Sequence, residues 1–224
     1  MPADSVTFPA WLAALEARAP DLVALFAALD AGRPLEVRRG VRARGGEGSA
    51  ARVLLQHAAI AEAYAARLAA LPDAAFGLPG GEADWNVAQT LGHAFDARSG
   101  LVTAASLAAQ GRFPADAPTV VSGVPGPPAA SRDDLRRRLA ASQRLVERAA
   151  RTVNGHETVP CPLEHPLVGR LRCGEWFLFA GLHDLMHLEQ LDGLAASLSA
   201  GASAAGAFVS PAAGPPAAGT ADPL

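Results

Sequence analysis

The sequence predicts an all-α protein: a four-helix bundle with long connections, an extra N-terminal helix and a disordered C-terminal tail. Apolar residues recur at helical spacing in five segments of the 224-residue chain. Stretches rich in proline and glycine separate these segments. Signals for strands are sparse, and only fragments such as Thr158-Val159 favour one.

The first two predicted helices lie in the N-terminal third of the chain. Helix 9–30 follows a proline, and Pro20 is expected to bend or split it because proline lacks the backbone donor. Residues 31–48 are rich in glycine and arginine and are predicted to form a loop. A second helix at 50–71 has one amphipathic face, formed by Val53, His57, Ile60, Tyr64, Leu68 and Leu71.

Capping residues mark the next two helices. Helix 85–110 has Asp84 as its expected N-cap and ends before a glycine. Helix 132–153 follows Ser131, and Asp134 completes a near match to the capping box, in which two side chains satisfy free backbone donors. The residues between these helices, 111–130, are rich in proline and glycine and form a long connection.

The last predicted helix, 173–199, follows a loop at 154–170 that contains three prolines and two glycines. From about residue 200 onward, alanine, glycine, proline and serine dominate, a composition typical of a disordered tail. We therefore expect a helical extension and loop at 1–48, a four-helix bundle at 49–199 and a tail at 200–224. The N-terminal helix is expected to pack on the outside of the bundle.

Composition narrows the functions that the chain can have. All 19 basic residues are arginine, which excludes catalysis by a lysine amine. The net charge of −3 gives no reason to expect nucleic acid as a partner. Residues 193–221 carry no charge, but glycine, serine and proline interrupt them, so no membrane span is expected.

The pattern at the N-terminus is not that of a secretory signal, so no such signal is expected, and a cytoplasmic location is the simplest expectation. Because the cytoplasm is reducing, Cys161 and Cys173 are expected to be two reduced thiols. A disulfide or a redox pair is the alternative.

Two histidines on the last helix are candidate metal ligands. At 100° per residue, His183 and His187 lie about 40° apart around the helix and roughly 6 Å apart along its axis. They share the apolar face that a bundle buries. Buried imidazoles need partners, and a metal ion can hold two at this spacing. Pairs at this spacing are also common in surfaces and cores without a metal, which is the alternative.

A third ligand is expected from a different helix. His93 lies on helix 85–110 in a stripe of small and weakly polar residues that leaves room for an ion and a substrate. Three neutral imidazoles would leave at least one coordination position free for water or substrate. Zn²⁺, Ni²⁺, Fe²⁺ and Cu²⁺ all suit three imidazoles, so the sequence does not name the divalent metal.

Two further residues are candidates for the pocket. His57 lies on the inner face of helix 50–71 and is a candidate fourth ligand, with a hydrogen-bonded core histidine as the alternative. Gln190 shares the stripe of the histidines, where it is a candidate to bind His187 or a substrate, with a purely structural role as the alternative.

Two carboxylates are weak candidates for catalysis. Asp96 lies one turn after His93, and Asp184 directly follows His183. Either carboxylate can orient a ligand imidazole or act as a general base near the metal. A solvated or capping carboxylate is the alternative for both.

The combination of these residues resembles the DinB-like superfamily of DNA-damage-inducible, YfiT-like metal-binding bundles. The resemblance covers about residues 50–198. It rests on Asp84-Trp85-Asn86-Val87-Ala88-Gln89-Thr90-Leu91-Gly92-His93, on His165-Pro166-Leu167-Val168-Gly169, on Glu175-Trp176 and on His183, His187 and Gln190. The chain departs from the usual pattern at Cys173-Gly174, where a threonine or serine before the glutamate would cap the helix.

The resemblance implies a four-helix bundle that binds a divalent metal through His93, His183 and His187, and it implies a homodimer. Characterised relatives include thiol transferases that use bacillithiol, mycothiol or glutathione, and a mycothiol-dependent maleylpyruvate isomerase. The implied partners are therefore a small-molecule substrate and a low-molecular-weight thiol.

Several functions stay open at this point. The first is a metal-dependent transferase that joins the thiol to an electrophile, and the same open site can instead activate water as a metal-dependent hydrolase. The second is a non-catalytic stress or interaction protein whose metal site is closed by a fourth ligand, for example His57. The third is a bundle that binds an apolar ligand without any metal.

Overall fold

The computed structural model describes residues 8–81, 84–120, 123–166 and 168–206. This part of the chain is mostly helical, with one small antiparallel hairpin. The elements in chain order are α1 (Ala10–Glu16), α2 (Pro20–Asp30), α3 (Pro34–Arg44), α4 (Ala50–Ala70), a 3₁₀ helix (Asp73–Gly77), α5 (Val87–Ala109), α6 (Arg132–Val153), β1 (Pro160–His165), β2 (Gly169–Arg172) and α7 (Cys173–Gly206).

The last four helices form the bundle, and the all-α prediction is confirmed. Helix α5 packs against α6 and α7, and α4 packs against the same two helices, so α4 and α5 lie diagonally across the bundle. The core between them contains large side chains that are fully buried, among them Trp176, Phe177, Phe179, Tyr64 and Phe95. Burial of this apolar surface is the main stabilising contribution to the bundle.

The N-terminal region contains three short helices rather than one helix and a loop. Pro20 splits the first predicted helix into α1 and α2, as expected. The prediction of a loop at 31–48 is wrong, because α3 begins at Pro34, the favoured position for proline, and buries Val37 and Val41 one turn apart. Arginine is a good helix former, so the glycine- and arginine-rich composition concealed a helix.

The predicted caps differ in outcome. The prediction of Asp84 as the cap of α5 is wrong: Asn86 caps this helix and forms a capping box with Gln89. The box at the start of α6 is confirmed, since the Ser131 hydroxyl accepts from the Asp134 backbone and the Asp134 carboxylate accepts from the Ser131 backbone.

Helix α7 is longer than predicted. It continues through residues 200–206, where the sequence predicts a tail, because alanine recurs there and alanine has the highest helix propensity. The rest of the expected tail, 207–224, and residues 1–7 lie outside the described residues. No helix among the described residues is long and apolar enough to cross a membrane.

The prediction of an uninterrupted loop at 154–170 is wrong, because β1 and β2 pair as an antiparallel hairpin there. Cys161 and Leu163 point into the core, and Pro160 and Pro162 alternate with them on the exposed side. Prolines are tolerated at such edge positions, and they hid the alternating pattern in the sequence. The hairpin leads directly into α7.

A close backbone approach explains the unusual Cys173-Gly174 start of α7. A Cβ added to Gly174 would lie 2.3 Å from the Gly45 carbonyl oxygen and 2.6 Å from the Glu157 side chain. A Cβ added to Gly45 would lie 2.7 Å from the Cα of Glu175. The two glycines therefore let the loop after α3 contact the first turn of α7.

Candidate metal centre

Three histidines from two helices converge inside the bundle. His93 comes from α5, and His183 and His187 come from consecutive turns of α7. The ring centroids lie 5.4 Å apart for His93 and His183, 5.2 Å for His93 and His187, and 4.7 Å for His183 and His187. One ring nitrogen of each histidine lies within 4.8 Å of the others, a group that could hold a metal ion.

Two of the three imidazoles are oriented by hydrogen bonds from Nδ1. His93 Nδ1 lies 2.8 Å from the carbonyl oxygen of Val124, and His187 Nδ1 lies 2.8 Å from Oε1 of Gln190. Because both acceptors are oxygens, each Nδ1 carries the proton and each Nε2 keeps its lone pair for a metal. Such outer partners are typical of metal-bound histidines.

A glycine pair positions the carbonyl that orients His93. A Cβ added to Gly92 would lie 2.9 Å from the Cα of Gly126, and the Gly126 amide donates to the Gln89 carbonyl of α5 at 3.0 Å. This contact holds the connection between α5 and α6 against the first turns of α5. Val124 therefore lies where its carbonyl can accept from His93.

His183 completes the group and has the clearest need for a further partner. Its Nδ1 is buried and has no hydrogen-bond partner within the described part of the chain. Burial, followed by the neighbouring His187, His93 and His165, holds the pKa of His183 well below its usual range. The ring is therefore neutral near pH 7 and can bind a metal without losing a proton. An unpartnered buried nitrogen and three converging imidazoles fit a divalent ion.

Two aromatic rings near the histidines were not predicted as part of the site. The Trp85 ring lies 5.0 Å from the His93 ring. His165 is close enough to His183 to contribute to its lowered pKa, and its ring lies 4.8 Å from the Phe179 ring. Burial lowers the pKa of His165. The only signal for either residue is the family pattern, since His165 lies in a proline-rich stretch and Trp85 precedes a helix.

His57 lies apart from the three histidines. It is fully buried, and its Nε2 bonds to the Phe177 carbonyl at 2.8 Å. Burial, and next the charge of Arg98, lower the pKa of His57 to about 3. Within the described residues, the group that could hold a metal does not include it. The structure therefore gives His57 the role of a hydrogen-bonded core histidine rather than a fourth ligand.

Asp184 is buried in a polar cluster rather than exposed to the site. Its carboxylate lies 3.3 Å from Nε of Arg98, and neither side chain is exposed to solvent. Burial raises the pKa of Asp184 to about 7, and the Arg98 charge opposes this rise. Arg98 also donates to the His57 carbonyl at 3.2 Å and to Gln143 at 2.6 Å. Asp184 is therefore placed to link helices.

Asp96, unlike Asp184, lies at the surface of the protein. Its carboxylate is exposed and accepts from Arg138 of α6, with both oxygens at 2.9–3.0 Å. It also borders a cleft of about 590 Å³ that contains His93 in its wall. The other residues that line the cleft are Ala97, Ser99, Gly100, Leu101, Thr103, Ala104, Leu107, Phe113, Pro114, Ala117, Pro118, Val124 and Leu163.

The two cysteines take no part in this site. Both are buried free thiols. Burial, together with the neighbouring Cys161, raises the pKa of Cys173 to about 12, so its thiolate does not form near neutral pH.

The family model of the DinB superfamily matches residues 56–191, more than half of the chain, and spans all three histidines. The chain belongs to the DinB superfamily. Helices α1 to α3 lie before the matched region of this DinB protein, and the three histidines lie on two helices inside it. A search of curated proteins gave no match, and a search of solved structures gave none either.

Proposed function

We propose that this DinB protein is a metal-dependent transferase that joins a low-molecular-weight thiol to an electrophilic small molecule. One observation carries the proposal: the three-histidine group shares His93 with a cleft large enough for a substrate. A metal held there has substrate space beside it, which a purely structural ion does not need.

The protein supplies the ligands and their orientation. His93, His183 and His187 would hold Zn²⁺, Ni²⁺ or Fe²⁺, and Val124 and Gln190 fix two of the rings. When bound, such an ion supplies Lewis acidity that lowers the pKa of a thiol and makes its thiolate available near neutral pH.

The proposed reaction is a nucleophilic substitution. The thiol loses its proton, its sulfur donates an electron pair to the electrophilic carbon, and a C–S bond forms. The bond from this carbon to the leaving group breaks, and the leaving group departs with that electron pair. Asp96, at the border of the cleft, is the carboxylate that we assign to accept the proton, since Asp184 is buried against Arg98.

Two other functions can be compared with the transferase by the number of protein ligands that each requires at the metal. Hydrolysis would use the same free coordination position for water, so a metal-dependent hydrolase is the second candidate. A closed structural site needs a fourth protein ligand, and the described residues offer three in one group. This favours an open, reactive site over a non-catalytic one.

A transfer assay tests the proposal. Metal-loaded protein is incubated with glutathione, bacillithiol or mycothiol and with 1-chloro-2,4-dinitrobenzene, and chloride release and thioether formation are followed. We expect a rate above that of His187→Ala, whose metal content should fall in elemental analysis. His156→Ala, at an exposed loop histidine, is the matched control. A wild-type rate equal to that of His187→Ala with every thiol would contradict the proposal.

The proposal also covers the oligomeric state of the protein and the compartment in which it works. A homodimer is proposed from the family resemblance, and the cytoplasm is the compartment where such thiols are kept reduced. Light scattering of the purified protein tests the dimer, and a monomer mass at micromolar concentration would contradict it.

A further inference from the structure

We propose that the cleft beside His93 binds the electrophile of the reaction, and that this electrophile is an uncharged, apolar organic molecule. The inference rests on the proposed function and states where one of the two substrates, the electrophile, binds. The thiol, a hydrophilic molecule, is not the occupant.

The cleft has the size and the apolar lining of a small-molecule site. Its volume of about 590 Å³ lies inside the usual range of small-molecule sites, roughly 300–1,000 Å³. Its wall is formed mainly by carbon: one face of α5, the connection after it and Leu163 of β1. Apolar surface favours an occupant that removes it from water, at about 25 cal/mol for each Å² buried.

The lining of the cleft contains few groups that can carry a charge. Among the described residues that line it, His93 and Asp96 are the only titratable ones. The Asp96 carboxylate is already engaged by Arg138, and the described residues of the lining include no arginine. Along the cleft away from His93, an anionic occupant would therefore lose its hydration without gaining a cationic partner, which is unfavourable. An uncharged molecule avoids this cost.

The floor of the cleft is formed by small residues at helical spacing. Ala97, Gly100 and Ala104 recur along one side of α5 and all line the cleft. A Cβ added at Gly100 would meet no atom within 4 Å, so a side chain introduced there starts in open space. The small side chains at these positions leave space on this side of α5.

One end of the cleft is the metal-binding group itself. His93 is part of both, and Val124, which accepts the hydrogen bond of His93, also lines the cleft. A molecule that fills the cleft therefore has one end beside His93, where the electrophilic carbon would meet the thiolate.

A matched pair of fluorescent probes tests the assignment without any turnover. N-phenyl-1-naphthylamine is uncharged, and 1-anilinonaphthalene-8-sulfonate has nearly the same skeleton with a negative charge. We expect the uncharged probe to bind wild-type protein at least about tenfold more tightly in fluorescence titrations. Equal or tighter binding of the sulfonate would overturn the uncharged class of the occupant.

Substitution of Gly100 tests the location. Gly100→Leu should weaken binding of N-phenyl-1-naphthylamine at least about tenfold by filling the cleft, with metal content unchanged. Gly193→Leu is the matched control, because Gly193 is also a helical glycine with open space around it and does not line the cleft. Ala104→Leu provides a second obstruction, and the melting temperature of each variant checks folding.

The two proposals can fail separately. Unchanged probe affinity in both Gly100→Leu and Ala104→Leu would overturn the cleft assignment, even if thiol transfer is observed. Loss of probe binding in these variants supports the cleft as an apolar ligand site, even if no thiol reacts. Where transfer is observed, Gly100→Leu should also raise the KM for 1-chloro-2,4-dinitrobenzene at least about tenfold while the KM for the thiol changes little.

Discussion

At the residue scale, the three histidines differ in what holds them. His93 bonds to a backbone carbonyl, His187 bonds to a side chain one turn along its own helix, and Nδ1 of His183 has no partner in the described part of the chain. The HxxxH pair and Gln190 follow from helical spacing and could be predicted. The Val124 carbonyl could not, because a backbone group in a proline-rich connection carries no sequence signal.

Gln190→Ala should lower the affinity for the metal about 10–100-fold, because His187 loses the acceptor that fixes its ring. Gln190→Glu keeps an oxygen acceptor and should restore most of the affinity. Competition titration with a chromophoric chelator measures both values. Gln110→Ala, at an exposed position after α5, is the control, and an affinity in Gln190→Ala equal to that control would contradict the role.

His57 should make the stability of the protein depend on pH. Its pKa is about 3 in the folded protein and 6.5 in the unfolded chain, so below pH 6.5 the unfolded chain binds a proton that the folded protein does not. Its contribution is therefore complete above pH 6.5 and is lost as the pH falls towards 3. At pH 5 the expected loss in the free energy of unfolding is roughly 2 kcal/mol.

A variant separates this contribution from that of Asp184, whose raised pKa acts in the opposite direction. His57→Gln keeps a donor towards the Phe177 carbonyl and does not titrate. The difference in unfolding free energy between wild type and His57→Gln, from urea denaturation, should shrink by roughly 2 kcal/mol from pH 7.5 to pH 5. A constant difference would mean that His57 has an ordinary pKa.

At the element scale, the start of α7 determines where its histidines lie. The chain reaches this helix through the hairpin, and the first turn of α7 is held by Gly45 on one side and by Glu157 on the other. The Gly174 amide donates to the Glu157 carbonyl at 2.9 Å, and the Ala50 amide donates to the Glu157 carboxylate at 3.4 Å. Together with the Glu175 carboxylate, which accepts from the Arg172 amide at 2.8 Å, these contacts hold the start of α7 and link it to the start of α4.

Gly174→Ala should lower the free energy of unfolding by about 1–3 kcal/mol, because the new methyl group would overlap the Gly45 carbonyl and Glu157. Gly193→Ala is the matched control: its methyl group meets open space in the same helix and should raise stability by up to about 1 kcal/mol. Urea denaturation measures both. Similar effects of the two substitutions would show that the first turn can move apart.

At the scale of the whole molecule, Arg98 connects all four helices of the bundle. From α5 it contacts the His57 carbonyl of α4, Gln143 of α6 and the Asp184 carboxylate of α7. Tyr64 of α4 adds a hydrogen bond to the Asp184 carbonyl at 2.8 Å. The cluster joins α5 to α7 at Asp184, the residue that directly follows His183.

Arg98→Met should lower the free energy of unfolding by about 3–5 kcal/mol, because it leaves the Asp184 carboxylate buried without its partner. Arg138→Met removes the partly exposed pair with Asp96 and should cost no more than about 1 kcal/mol. Chemical denaturation of the two variants at pH 7.5 compares them. A cost in Arg98→Met as small as that in Arg138→Met would show that Asp184 is neutral in the folded protein.

The sequence by itself determined the helices of the bundle, the capping box at Ser131 and the three candidate histidines. Each of these depends on local rules, namely helical periodicity, cap chemistry and the spacing of residues one turn apart. It did not determine the helix at 34–44 or the hairpin, because tertiary burial of Val37, Val41, Cys161 and Leu163 outweighs composition there.

Only the tertiary structure decided what each polar residue near the histidines does. Asp184 and His57 face a buried arginine, Asp96 faces solvent and a cleft, and a loop carbonyl orients His93. All of these partners lie more than thirty residues away in the chain. Their roles depend on how diagonal and adjacent helices pack, which periodicity within one helix does not specify.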